Sequence, residues 1–256
     1  MATSPELAET DGFTATDGSA TDSPEIASRP RRTAVAKRAV SRLATLNPLV
    51  AWERLGRAAA DAEDAKALQA LSSLPGAFLP WSRSSMRPSA IVAIVSDMVV
   101  NERRVILECG SGNSTVFAAR ALSQQGQDGH IHSLDHDAGW TRVTAAAIAR
   151  EHLGRWASVT HAPLRGGWYD VDMLPDLDGI ELLVVDGPPA YAPGTETARQ
   201  PALEVLWERL APGATVILDD SWRAGERRVL AAWQRRYGLR FEQQPGGYAV
   251  ARSATR

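Results

Sequence analysis

The sequence predicts an α/β fold: a doubly wound, mostly parallel sheet of seven strands that ends in an antiparallel hairpin. Three observations predict it. Short apolar runs bounded by glycine or acid recur along the chain, helix-length segments separate them, and the last two runs flank Pro245-Gly246-Gly247. Runs of that length fit strands covered on both faces, and strand–helix alternation implies parallel pairing with right-handed crossovers. At 256 residues the chain holds one such domain plus extensions, with core enough to need no disulfide. Its single cysteine, Cys109, lies inside an apolar run and reads as a small buried hydrophobe rather than a nucleophile.

Residues 1–28 carry acids, no bases and little that could enter a core, which predicts a disordered acidic tail. An acidic start without an apolar segment argues against a signal or transit peptide. Arg29, Arg31, Arg32, Lys37, Arg38 and Arg42 then follow without an intervening acid. Such a run can touch an anionic partner, but with a net charge of −2 it reads first as a solvated helix face. Residues 29–78 predict a helical extension broken near Asn47-Pro48, and residues 79–256 the main domain. That domain opens on a proline-bounded loop, Leu79 to Pro88, whose Trp81 and Met86 either cover a ligand or pack inside. A helix follows over 90–100. Strands are expected over 105–109, 130–134, 157–161, 180–185 and 214–218, helices over 114–123, 139–153, 197–210 and 225–237, and a hairpin over 239–244 and 248–252. No apolar stretch is long enough to span a bilayer, so a soluble cytoplasmic protein is the expectation.

The first strand runs into Glu108-Cys109-Gly110-Ser111-Gly112-Asn113-Ser114-Thr115. Gly110 and Gly112 allow backbone angles and close approaches that a side chain would block. Asn113 or Ser114 can cap the next helix, whose first turn offers N–H groups to a ligand above the loop. Strand, glycine turn and helix together read as a nucleotide site. A pyrophosphate loop would carry glycine where Thr115 stands, and Glu108 would repel a pyrophosphate, so a cationic ligand suits this loop better. Asp135, at the end of the second strand, can accept both hydroxyls of a ribose or cap a helix; beside this loop the ribose role is preferred.

Asp186 ends the fourth strand, and Asp219 and Asp220 end the fifth. Carboxylates brought together raise one another's pKa or recruit a cation, so the set is a proton-transfer site or a metal site. Asp186, ranked first, then Asp219 and Asp220 are the candidates, and Asp186 or His136 can act as general base. His136 reads equally as a polar residue at a helix start, and Asp220 as a helix cap. Trp168 and Tyr169 can stack on an acceptor or pack under the sheet.

Glu-x-Gly-Ser-Gly-x-Ser-Thr, Ser-Leu-Asp-His-Asp, Trp-Tyr-Asp and Val-Asp-Gly-Pro-Pro, taken together, resemble the class I S-adenosylmethionine-dependent methyltransferases over roughly residues 80 to 252. The resemblance implies a Rossmann-like sheet, S-adenosylmethionine as cofactor, and methyl transfer to a small-molecule acceptor such as a natural-product or sugar hydroxyl. It implies that Glu108 works near the cofactor's amino group through water, and that Gly110, Ser111, Gly112, Ser114 and Thr115 wrap its methionine part. Asp135 and His136 would then lie by the ribose, backbone at Ala162 by the adenine, and Asp186 at the cofactor's edge. Metal-dependent O-methyltransferases of the family imply Mg²⁺ held by Asp186, Asp219 and Asp220; Gly187-Pro188-Pro189 stands where a polar turn is expected. Neither nucleic acid nor membrane is expected as a partner, the former because no Asn-Pro-Pro-Tyr-like motif follows the fourth strand, while a homo-oligomer is allowed. Two other readings stay open. One is a nicotinamide- or flavin-dependent oxidoreductase, against which Glu108 and Thr115 argue; the other is a non-catalytic binding protein working through the basic run.

Overall fold

The computed structural model describes residues 48–126 and 128–254. The expected acidic tail, the basic run over 29–42 and the start of the helical extension lie outside the described residues. From Leu49 onward the chain forms one compact unit. Helix α1, Pro48–Leu71, is the described part of the extension and turns Ala60, Ala67 and Leu71 inward.

The sheet consists of β1 (Val105–Cys109), β2 (His130–Asp135), β3 (Ala157–His161), β6 (Ile180–Val185), β7 (Leu210–Leu218), β8 (Glu242–Gln243) and β9 (Ala249–Arg252). Its order is β3-β2-β1-β6-β7-β9-β8. The first five run parallel, and β9 lies antiparallel to both β7 and β8. Seven strands closed by a hairpin are thus what the sequence predicts. Helices α2 (Pro88–Val100), α3 (Asn113–Gln125), α4 (Ala138–Arg150), α5 (Pro201–Leu206) and α6 (Ala224–Tyr237) complete the layers. Successive strand residues feed opposite cores: Leu107, Leu183 and Val216 pack with Leu203 and Trp233, whereas Ile106, Leu182 and Ile217 pack with Ile91 and Phe117. A strand that serves two cores must be apolar throughout, which is why these runs show no polar alternation.

Three elements differ from expectation. The helix expected over 197–210 is only α5, followed by a 3₁₀ turn at Trp207–Arg209; Pro201, which has no N–H to give, starts it. Strand β7 begins at Leu210, where a register shift lets Leu210 face Ile180. The small hairpin of β4 (Leu164–Arg165) and β5 (Trp168–Tyr169) was not foreseen. Gly166 and Gly167, at φ +62° and +87°, form its two-residue turn, a conformation that favours glycine.

The order places β1 beside β6, with chain connections leaving on opposite sides. That is the switch point at which open α/β sheets bind ligands, beyond the carboxyl ends of the strands.

Candidate functional site

Gly110 follows β1 with φ +98°, and its N–H donates to Leu134 O at 2.8 Å. A Cβ there would lie 3.2 Å from both Asp186 C and Gly187 N, so glycine is needed for the angle and for the approach of β6. Glu108, fully buried on β1, accepts from the Ser114 and Thr115 hydroxyls at 2.5 Å each and from the Ser133 hydroxyl at 2.6 Å. Burial pushes its carboxyl up and these three hydroxyls pull it back. Thr115 also accepts from Gly112 N–H at 3.1 Å, closing the first turn of α3. Glu108 therefore braces the loop from beneath, and Ser114 and Thr115 face it.

Asp135 Oδ2 accepts from Ser111 N–H at 3.0 Å and Ser111 Oγ at 2.7 Å, and its Oδ1 from Asp137 N–H at 3.0 Å. A carboxylate has roughly four acceptor directions, so Oδ1 keeps one for a ligand. Two free oxygens for a bidentate ribose contact, as the sequence suggested, are not what the turn at Ser111 leaves. Trp140 Nε1 donates to Ser111 O at 2.6 Å and fixes the same turn. His136 lies with Nδ1 3.5 Å from Asp135 Oδ1, on the β2 side, and among the described contacts none ties it to the acids of β6 and β7. Ala162 is fully buried, and its N–H donates to Asp135 O at 2.7 Å, so that group has no hydrogen left for an adenine edge. The segment before α2 lies against this loop: Asn113 Nδ2 donates to Pro80 O at 3.3 Å, and Trp81 sits 6.4 Å from the Phe117 ring. Met86 is buried and packs inside.

The structure brings Asp186, Asp219 and Asp220 together, one oxygen from each lying within 4.8 Å of the others. Asp186 N–H bonds to Cys109 O at 2.9 Å and Asp219 N–H to Val185 O at 3.1 Å, which steps the cluster from β1 to β6 to β7. At its centre lies a residue the sequence reading missed. Arg199, buried ahead of α5, donates from Nη2 to Asp186 O at 2.6 Å and to Asp186 Oδ1 and Asp220 Oδ2 at 3.2 Å each, and from Nη1 to Asp219 O at 3.0 Å. Arg223 Nη1 adds a contact to Asp220 Oδ2 at 2.9 Å. Asp220 has φ +56° and caps no helix; the residue flanking α6 is Arg223. Buried Glu226 stands 3.8 Å from Arg199 Nη1 and 3.7 Å from Arg223 Nη1. An isolated arginine between strands carries no motif; the available signal was a cation placed between acid-ended strands.

Burial and the neighbouring Asp219 hold the Asp186 carboxyl far above the usual carboxylate range. Burial, then Asp220, push Asp219 up to about 6, against the pull of Arg199. Two raised carboxyls this close titrate as a pair rather than singly.

A cationic nucleoside fits the glycine loop, because the cradle is short of side chains and acidic beneath. Mg²⁺ fits the acid cluster poorly. Three carboxylates are suitable donors, but the guanidinium of Arg199 already bridges Asp186 and Asp220, and a bridging ion would have to displace it. Trp168 and Tyr169 are both buried, so neither offers a face for stacking on an acceptor.

Residues 107–221 match a family model described as a methyltransferase domain. The chain is similar in fold to an O-methyltransferase from Bacillus cereus in complex with SAH, at 15% identity over 75% of this chain and 90% of that one, TM-score 0.50. It is likewise similar to TomG from Streptomyces achromogenes, an O-methyltransferase involved in tomaymycin synthesis, in complex with SAM: 18% identity, 75% and 89% covered, TM-score 0.50. A methyltransferase from Podospora anserina, SAH-bound, aligns at 11% identity over 90% of this chain and 99% of its own, TM-score 0.55. No curated protein matches the sequence. Among the described residues no helix is long and apolar enough to cross a membrane.

Proposed function

We propose that this chain, a class I methyltransferase by its fold and by the methyltransferase domain over residues 107–221, transfers a methyl group from S-adenosylmethionine to a hydroxyl of a small molecule. The observation that carries the oxygen acceptor is the pairing of part-exposed Asp186 with buried Asp219 at the ends of β6 and β7, against the Gly110 loop, with both carboxyls raised. The SAM and SAH complexes of the bacterial O-methyltransferases support the choice of cofactor.

When bound, S-adenosylmethionine supplies an electrophilic methyl carbon, so that attack by the acceptor oxygen forms C–O as C–S breaks with its electrons going to sulfur. Glu108, through Ser114 and Thr115, sets the shape of the loop that holds the aminoacyl end. Asp135 Oδ1 accepts one ribose hydroxyl while Oδ2 keeps Ser111 in place. The Asp186–Asp219 pair takes the acceptor's proton, a contribution of about 10²–10⁴-fold for a well-placed base. Arg199 keeps that pair from being expelled by its own repulsion, and no metal step is needed.

Transfer of radiolabelled methyl from S-adenosylmethionine to a panel of phenols, sugars and amines tests the reading. Labelled ethers are expected, with Asp219→Asn about 100-fold slower. Labelled amines alone, or an unimpaired Asp219→Asn, would count against it.

A further inference from the structure

We propose that the hydroxyl of Tyr169 is a further binding group of this site, hydrogen-bonded in the loaded enzyme to the aminoacyl end of S-adenosylmethionine. Tyr169 is 1% exposed, yet its Oη has no hydrogen-bond partner among the described residues. A buried hydroxyl left unpaired costs stability, so its place calls for an explanation. That place is specific. A Cβ added to Gly187 would lie 2.1 Å from Tyr169 Oη and 3.2 Å from Gly110 Cα and N. The hydroxyl thus lies where the ends of β1 and β6 meet, beside the glycine loop.

The chain delivers it there deliberately. Tyr169 pairs with Leu164 across the β4–β5 hairpin, Asp170 N–H donates to Pro163 O at 2.8 Å, and the Trp168 ring meets the Tyr169 ring edge-on at 5.0 Å. Burial, with Cys109, Asp135 and Asp186 near, keeps the phenol protonated. A protonated phenol donates one hydrogen bond and accepts others, so it can meet either the carboxylate or the ammonium of an amino acid. Asp135 takes the ribose on the β2 side, which leaves the aminoacyl end for the β1–β6 side where Oη lies. The inference rests on the cofactor reading proposed above.

Calorimetry with S-adenosylhomocysteine and with 5′-methylthioadenosine, which lacks the aminoacyl end, tests it on wild type and Tyr169→Phe. The variant is expected to bind S-adenosylhomocysteine roughly tenfold more weakly and methylthioadenosine equally well. Its melting temperature without ligand is expected to stay level or rise, because an unpaired hydroxyl has been removed. Equal binding of both compounds, equal weakening of both, or a lower melting temperature with unchanged binding would overturn the assignment of Tyr169 alone. Failure of the wild type to bind either compound would overturn the cofactor reading and this inference with it.

Discussion

Arg199 and Asp186 are joined twice: one guanidinium nitrogen of Arg199 donates to the backbone oxygen of Asp186 at 2.6 Å and to its carboxylate at 3.2 Å. The contact ties the end of β6 to the loop ahead of α5 and places a fixed positive charge inside a group of four acids. A planar guanidinium can serve several oxygens at once in a way that an ammonium cannot.

Replacing Arg199 by methionine leaves buried Asp219 and the part-exposed Asp186 without their main counter-charge, while Asp220 keeps Arg223. A loss of about 3–5 kcal/mol is expected, as for other broken buried pairs, measurable by equilibrium urea unfolding at pH 7. Lysine at the same position keeps the charge but not the fork, and should recover only part of the loss.

Asp219 makes stability depend on pH in an unusual direction for an acid. Its carboxyl rises from an ordinary 3.8 to about 6 in the folded protein, so between these values the folded state binds more protons than the unfolded chain. Stability from this group is fully present below about pH 3.8 and is lost as pH rises through about 6. Asp219→Asn should therefore flatten the decline between pH 4 and 7 in thermal melts. The methyl-transfer rate should instead rise through about pH 6 in the wild type, as the pair becomes able to accept a proton.

With Arg199 among the carboxylates, neither EDTA nor millimolar Mg²⁺ should change the methyl-transfer rate or the melting temperature. A clear rise in melting temperature with Mg²⁺, weakened by Asp220→Asn, would show instead that the ion displaces the guanidinium.

Thr115→Val keeps shape but removes one of the hydroxyls on Glu108 and the acceptor for Gly112 N–H. Leaving these groups unpaired should cost about 1–3 kcal/mol in urea unfolding. Because the loop they hold borders the cofactor site, S-adenosylhomocysteine binding should weaken as well.

Much of this was legible in the sequence, for physical reasons that are local. Val105–Cys109 and Ile180–Val185 are apolar on both faces because they feed both cores, and Gly110 marks the one angle and approach the turn requires. The convergence of Asp186 with Asp219 and Asp220 was legible once the family resemblance supplied the strand order. What could not be read depends on contacts between distant positions. Nothing around Arg199 announces that its side chain reaches two strands, and nothing in Ser111 announces that it fills half of the Asp135 carboxylate. Ala162 looked free to meet an adenine until the turn after β3 committed its N–H to Asp135 O. Trp168 and Tyr169 read equally as stacking or packing residues, and the two-glycine turn before them, which folds them inward, decides for packing.

Calorimetric titration of the wild-type chain with S-adenosylhomocysteine, set beside NAD⁺, tests the central claim most directly. Saturable binding of S-adenosylhomocysteine in the micromolar range, with none of NAD⁺, is the predicted result. Binding of NAD⁺ without S-adenosylhomocysteine would contradict it.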